Sequence, residues 1–454
     1  MAGNLTIAQP KTGMNFQDIQ QSGDTAVLGK EAYDLVRRLY PICRSITGEG
    51  VRQTLQILRE IIPLTIHEVP TGTPVFDWAV PKEWNIRNAS IRNSAGEKVA
   101  DFQDCNLHVV GYSSPVNTRI SLQKLKEHTF TLPDHPQWIP YRTAYYKDDW
   151  GFCLSHAQLQ ALPEGEYDVR IDSSLENGHL TYGEYLVKGT TDEEVLISVH
   201  VCHPSLANDN LAGIAVAALM ARAMGPLPLR YSYRFLFIPG TVGSITWLSL
   251  NESHVARVKH GLVLACVGDS GNVTYKKSRR GNADIDRAVV QVLKDFGQPY
   301  RTVDFSPYGY DERQFCSPGF NLPVGCFMRT PHGQFPEYHT SADNLDLVRP
   351  EFIADSFLKC MMVFRLLEEN RTYLNLNPKC EPQLGRRGLY NAIGGQTDGK
   401  ARELAMLWVL NLSDGTNSLL DIAEKSNLPF RLIKNAAQDL SDHELLKETF
   451  PAKV

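Results

Sequence analysis

Val195-Leu-Ile-Ser-Val-His200-Val-Cys-His203-Pro-Ser-Leu-Ala-Asn208-Asp209-Asn-Leu-Ala-Gly213 is the stretch around which the rest of the chain is organised. Five strand-forming or small residues open it, and two histidines and an acid follow within ten positions. The Ala-rich run from Leu211 to Met224 is apolar on nearly every face, which is the pattern of a buried helix. A strand ending in imidazoles, then a tight loop carrying a carboxylate into a helix N-terminus, fits a zinc or manganese site at the C-terminal edge of a sheet. The structural alternative is that Asp209 caps the helix and that either histidine is a satisfied core residue. Two histidines with an Asn-Asp pair at one turn favour the metal.

The 454 residues exceed what one core needs and suggest two or three domains. Hydrophobic residues make up 43% and charged residues 21%, the balance of a soluble globular protein. A net charge of -5 gives no reason to expect a general nucleic-acid binder. The nine cysteines are scattered without a C-x-x-C pair, which argues against a disulfide framework and for a reducing compartment. Residues 1–20 lack the basic patch and apolar run of a signal peptide, and no apolar window is long enough to span a membrane. A cytoplasmic protein is expected.

Working outward, residues 1–26 read as a loose polar tail. Residues 27–74 and 176–378 read as one main domain, interrupted over 75–175 by short, turn-punctuated strands that suggest a small β-rich insertion. Tyr141, Tyr145, Tyr146, Trp150 and Phe152 within it form an aromatic cluster, whose simplest reading is a local core. In the main domain strands alternate with helices, at 195–199, 211–224, 233–238, 244–250, 261–267 and 285–296. This predicts an α/β fold with a mostly parallel central sheet flanked by helices. In such sheets ligands gather beyond the carboxyl ends of the strands. The residues after successive strands meet that expectation: His200, His203 and Asp209; Asp269; Tyr310, Asp311, Glu312 and Arg313; Glu337 and His339. Taken singly, Asp269 could be a turn residue, Glu337 part of a solvated loop, and Asp311 to Arg313 a surface ion pair. Their shared placement supports a metal site with His203, Asp209, Asp269 and His339 as nitrogen and oxygen ligands. A nearby carboxylate would move the proton.

The segments His200 to Gly213, Tyr275-Lys-Lys-Ser-Arg, Tyr310 to Gly319 and Glu337-Tyr-His-Thr-Ser-Ala-Asp-Asn344 resemble the zinc-dependent aminopeptidase superfamily. The likeness is closer to the aminopeptidase-like proteins encoded in bacterial polysaccharide and natural-product gene clusters. The resemblance implies Zn2+, one ion with room for a second. It implies Asp209, in a D-x-x-x-G pattern with Gly213, as the bridging acid, and Asp269 and His339 on the first ion. His203, with His200 close behind, falls to the second. One departure stands out. The superfamily carries a Glu-Glu pair, base and ligand, where this chain reads Gly240-Thr241. The base must then come from elsewhere, with Glu312 and Glu337 nearest by motif. Tyr310, Asp311 and Arg313 are placed as substrate-binding residues, since a guanidinium grips a carboxylate with two parallel hydrogen bonds.

Residues 379–454 have the rhythm of a winged helix. Asp421, Glu424, Asp439, Asp442 and Glu444 make DNA a poor partner for it, and packing or a homo-oligomer contact fits better. The expected activity is a metal-dependent, aminopeptidase-type hydrolysis of an amide or peptide bond in a small substrate. The alternatives are a metal-binding biosynthetic or ligand-binding protein without turnover, which the missing glutamates allow, and, weakest, a DNA-reading regulator.

Overall fold

The computed structural model describes residues 25–145, 147–389 and 397–449. Most of the expected tail, 1–26, lies outside the described residues. Its last two positions, Thr25 and Ala26, begin a helix instead. The described residues up to Gly281 form one compact unit with Arg301–Leu358, and Asn282–Tyr300 form another with the described residues from Lys359 onward.

The first unit opens with helices α1 (Thr25–Leu39) and α2 (Glu49–Arg59). Val51, Thr54, Leu55 and Leu58 of α2 are buried at three- and four-residue spacing, so one stripe of the helix faces the core. The strands of the main sheet are β1 (Thr65–Pro70), β6 (His179–Val187), β7 (Glu194–His200), β8 (Ser232–Ile238), β9 (Val258–Leu264), β10 (Val273–Lys276), β11 (Tyr300–Val303) and β12 (Val324–Met328). They lie in the order β1-β6-β8-β7-β9-β12-β10-β11. The four central strands run parallel, as the alternation of strand and helix predicts. β1, β6 and β10 pair antiparallel with their neighbours, so the whole sheet is mixed. All seven residues of β7 are buried, as they are in a strand covered on both faces. Helices α3 (Ala212–Met224) and α4 (Val242–Leu250) follow β7 and β8.

The segment between β1 and β6 builds its own four-stranded sheet from β2 (Glu83–Asn93), β3 (Lys98–Asp101), β4 (Val116–Ser121) and β5 (Glu166–Glu176), in the order β3-β2-β5-β4. Its core is not separate. Trp84, Ile91 and Tyr167 belong to the same buried cluster as Leu196, Val263 and Phe315 of the main sheet and its loops.

The second unit is a winged helix. Strands β13 (Thr372–Asn375), β14 (Asp414–Ser418) and β15 (Leu446–Thr449) form an antiparallel sheet. With it go helices α5 (Asp284–Phe296), α6 (Thr397–Leu412), α7 (Leu419–Ser426) and α8 (Phe430–Asp442). Ser418 starts α7 by a reciprocal cap with Asp421, and Asn427 ends it in the left-handed conformation that short polar side chains tolerate. Several of the acids that argue against DNA are paired here: Arg287 binds Asp421 at 2.5 Å and Glu424 at 2.6 Å, and Arg402 binds Asp439 at 2.9 Å. Among the described residues no helix is long and apolar enough to cross a membrane.

Candidate active site

Parallel register brings the strand ends together. His200 pairs with Ile238, Ser198 with Val263, and Val263 with Cys326, so the loops after β7, β8, β9 and β12 leave the sheet side by side. The loop after β7 enters α3 through a wide turn, Ala207–Leu211, which carries Asp209 inward. Gly213 is required there. A Cβ at this position would lie 2.4 Å from Asn210 Oδ1, and Asn210 must stay where it is to donate to the Leu264 carbonyl at 2.8 Å. This gives the D-x-x-x-G spacing a steric cause.

Asp209 is wholly buried and is the centre of the site. Its Oδ1 accepts from His200 Nε2 at 2.9 Å and from the Tyr310 hydroxyl at 3.0 Å. Its Oδ2 accepts from His339 Nε2 at 3.0 Å, and His203 Nε2 stands 3.8 Å away. The donor atoms of His200, His203 and Asp209 all lie within 4.8 Å of one another. Burial works against the charge on Asp209, but the surrounding imidazoles of His203, His200 and His339 outweigh it and hold the carboxyl well below its usual range. Burial also pushes His203 down to about 3. Among the described residues no lysine or arginine pairs with Asp209.

Around this centre a second set of contacts fixes the ligating loop. Asp343 accepts from the backbone N–H of Asn208 at 2.6 Å and of Asp209 at 3.0 Å. Arg44, itself buried, donates to the carbonyls of His203 and Pro204, both at 2.8 Å. The Tyr310 ring stacks on His200 with centroids 4.7 Å apart.

Of the residues singled out from the sequence, the structure gathers His200, His203, Asp209 and His339, and brings Tyr310 to the same place as a partner of Asp209. Asp269 is a correction. Its Oδ1 accepts from Thr330 Oγ1 at 2.6 Å and Gly271 N at 2.7 Å, and its Oδ2 accepts from Asn208 Nδ2 at 2.9 Å and Thr330 N at 3.2 Å. Its carboxylate is used up in holding the turn. Glu312 is a second correction. It is fully buried and bound to Lys276 Nζ at 2.8 Å, which leaves it neither exposed nor free to act as the base. Asp311 is a third. It is buried behind the loop after β8, with Ser244 Oγ donating to Oδ1 at 3.0 Å, and cannot meet a substrate carboxylate. Burial pushes it up to about 6. Glu337 is half-buried two residues before His339. Arg313 is also half-buried, with one weak bond to Thr241 Oγ1 at 3.4 Å and a partnerless Nε.

Tyr141 was not foreseen as a site residue. Instead of lying in a purely local core, its ring packs on His203 and His339 at 5.2 and 5.1 Å. Nothing in the local sequence signals this, because the partners lie far along the chain. Cys266, whose Sγ lies 3.3 Å from the Tyr310 hydroxyl, was accessible to the rule that chemistry follows strand ends.

A mixed sheet carrying an imidazole–carboxylate cluster at its parallel strand ends, with a C-terminal winged helix, defines an aminopeptidase-like protein. Comparison with known proteins agrees. Residues 33–370 match the family described as a domain of unknown function, DUF4910, and residues 371–448 match a winged helix-turn-helix family. The chain belongs to the DUF4910 family. A Clostridium acetobutylicum protein provisionally described as a polysaccharide biosynthesis protein with an aminopeptidase-like domain is 55% identical, over 94% of this chain and 98% of its own. A Clostridium acetobutylicum crystal structure, provisionally called a peptidase, superposes with a TM-score of 0.91 at 52% identity, covering 96% of this chain and 100% of its own. A zinc aminopeptidase from Bacillus subtilis shares the fold alone, with a TM-score of 0.54 at 12% identity over 74% of this chain and 94% of its own.

Proposed function

We propose that the protein is a metal-dependent amide hydrolase of aminopeptidase type, acting on a small peptide or amide, with one zinc ion. The observation that carries this reading is Asp209, a buried carboxylate ringed by imidazole nitrogens and, among the described residues, without a lysine or arginine partner. An isolated buried charge is costly, and a cation among those donors removes the cost. Neutral imidazole and carboxylate are the ligands zinc takes, so the donor set fits the ion. His200, His203, Asp209 and His339 would hold it. With Asp269 turned away, they supply donors for one ion rather than two. Zinc there supplies Lewis acidity toward a carbonyl oxygen and acidifies water.

The chain's own groups do the rest. Asp343 and Arg44 keep the ligating loop from moving when substrate enters. The Tyr141 ring packs against His203 and His339 and restricts how the two imidazoles can turn. The guanidinium of Arg313, with its unused Nε, suits a carboxylate or carbonyl of the substrate. Zinc analysis of the purified protein, followed by assay of leucyl-, alanyl- and glutamyl-p-nitroanilide, tests the proposal. About one zinc per chain and turnover of at least one anilide are expected. Zinc bound without turnover of any small amide refutes the hydrolase reading.

A further inference from the structure

A cavity of about 590 Å³ opens between the α1–α2 loop, the start of α2, strand β2 and the segment after β3. Small ligands fill spaces of about 300–1,000 Å³. None of His200, His203, Asp209 and His339 lines it, so it is not the candidate metal centre. It meets the ligating loop at Ser205, whose hydroxyl donates to the Tyr40 carbonyl at 2.6 Å and accepts from Asn106 Nδ2 at 2.8 Å. The walls are mixed in character. Tyr40 and Phe102 are half-buried there beside Ile86, while Glu49 and Asp104 stand exposed at the same cavity.

Charge decides what such a cavity can hold. None of the described residues lining it is a lysine or an arginine. The bases that reach its two acids are shared with other carboxylates. Arg52 stands 3.8 Å from Glu49, because its guanidinium is taken by Glu68 at 2.5 Å and Glu83 at 2.7 Å. Lys98 divides one ammonium between Asp104 at 3.2 Å and Asp101 at 3.1 Å. Arg44, between the lining residues Cys43 and Ser45, spends its guanidinium on Thr54 Oγ1 and the carbonyls of Leu39, His203 and Pro204. An anionic ligand would meet carboxylates and no cation. An ammonium would find acceptors for charge-assisted hydrogen bonds and aromatic rings for its positive charge. A bare metal ion fits less well, since the metal-competent group among the described residues is His200, His203 and Asp209. We propose that this cavity binds a small organic cation, a primary ammonium on a short apolar or hydroxylated body, with Glu49 and Asp104 as its acceptors. An aliphatic diamine and an amino sugar share that chemistry. The site is independent of the hydrolase reading.

Calorimetric titration of the full-length protein tests this with putrescine and glucosamine, each beside an uncharged counterpart, 1,4-butanediol and N-acetylglucosamine. At least one amine should bind with a dissociation constant below about 1 mM, and its counterpart should bind about 10-fold more weakly or worse. Which amine binds tells whether the walls accept a chain or a hydroxylated ring. The double variant Glu49→Gln/Asp104→Asn, at two exposed positions, should weaken that amine by about 10-fold or more, because it removes both charged acceptors. Ile86→Trp, which fills the cavity and leaves its charge alone, should weaken it by about as much. Absence of binding by both amines at about 10 mM overturns the proposal. So does an uncharged counterpart that binds as tightly as its amine. Amine binding within about 3-fold of wild type, in whichever variant folds, overturns it as well by placing the amine elsewhere.

Discussion

Replacing Asp209 by asparagine should abolish the stabilisation of the protein by zinc while leaving the metal-free protein nearly as stable as before. Asparagine keeps the shape: its Oδ1 can still accept from His200 and Tyr310, at 2.9 and 3.0 Å, while its Nδ2 sits 3.0 Å from His339 Nε2 and donates to it once that ring takes the other tautomer. What goes is the charge. In the metal-free protein the desolvation penalty of that charge, several kcal/mol, is offset by charge-assisted hydrogen bonds of about 1.5–3 kcal/mol each, so the net change is small. With zinc the balance differs. Unit charges about 4 Å apart are worth about 4 kcal/mol at an effective dielectric of 20, which is a factor of about 10³ in affinity. At a zinc concentration about 1,000 times the wild-type dissociation constant, binding stabilises the wild type by about 4 kcal/mol. The variant, about 10³ weaker, would sit near its own dissociation constant and gain only about 0.4 kcal/mol. Scanning calorimetry with and without zinc measures both. Equal zinc-induced shifts in the two proteins would show that Asp209 is not the anion holding the metal.

Other consequences follow from the same geometry. Asp269→Asn should leave zinc affinity within about 3-fold yet cost about 1–3 kcal/mol of stability, because its oxygens serve Thr330, Gly271 and Asn208; a loss of zinc of 100-fold would restore it as a ligand. Gly213→Ala should displace Asn210 from the Leu264 carbonyl and cost about 2–4 kcal/mol by denaturant unfolding, and wild-type stability would contradict the steric account of the D-x-x-x-G spacing. Glu83 is held down to about 2, first by its hydrogen bonds to Arg52. A depressed carboxyl stabilises the fold above its ordinary value of 4.5, and this stabilisation fades as pH falls to about 2. Glu83→Gln should therefore be less stable by about 1–2 kcal/mol at neutral pH, with the gap closing over that acid window; a gap independent of pH would exclude the ion pair as its cause.

Local pattern carried much of this molecule. The buried strand before His200, the apolar run after Asp209 and the parallel alternation that follows are local or short-range signals, and the structure reproduces them. The gathering of His200, His203, Asp209 and His339 was legible because parallel strands must deliver their following loops to one edge. What was not legible is the second partner of each polar group. Asp269 follows a strand as a ligand should, but a single backbone turn toward Thr330 consumes both its oxygens. Glu312 sits in a motif that suggests chemistry, and Lys276, thirty-six positions earlier, claims it. No periodicity encodes such pairings, since they depend on which side chains meet after the sheet is assembled. The absence of the glutamate pair was visible as letters. That Asp311 packs against Gly240 could be seen only in three dimensions.

The segment between β1 and β6 bears on the site through the backbone of the His339 loop. His339 is held at a φ of 56°, a conformation that a residue with a Cβ adopts only when its neighbours insist on it. Those neighbours are identifiable. Tyr141 N–H donates to the His339 carbonyl at 2.8 Å, Ile139 N–H donates to Ser341 Oγ at 3.0 Å, and Ser341 N–H returns a bond to the Ile139 carbonyl at 2.8 Å. On the other side Asp343 grips the Asn208 and Asp209 amides. The loop is thus stapled between the inserted strands and the turn that carries Asp209, and the imidazole of His339 has little choice of direction. Truncating Tyr141 to alanine removes the ring against His203 and His339 but spares the backbone bond. Replacing Tyr141 by proline removes both, because proline has no backbone N–H. If the insertion served only as a separate covering layer, these changes would have no effect on zinc affinity. Because the same residues set the path of the His339 loop, the second change should weaken zinc more than the first.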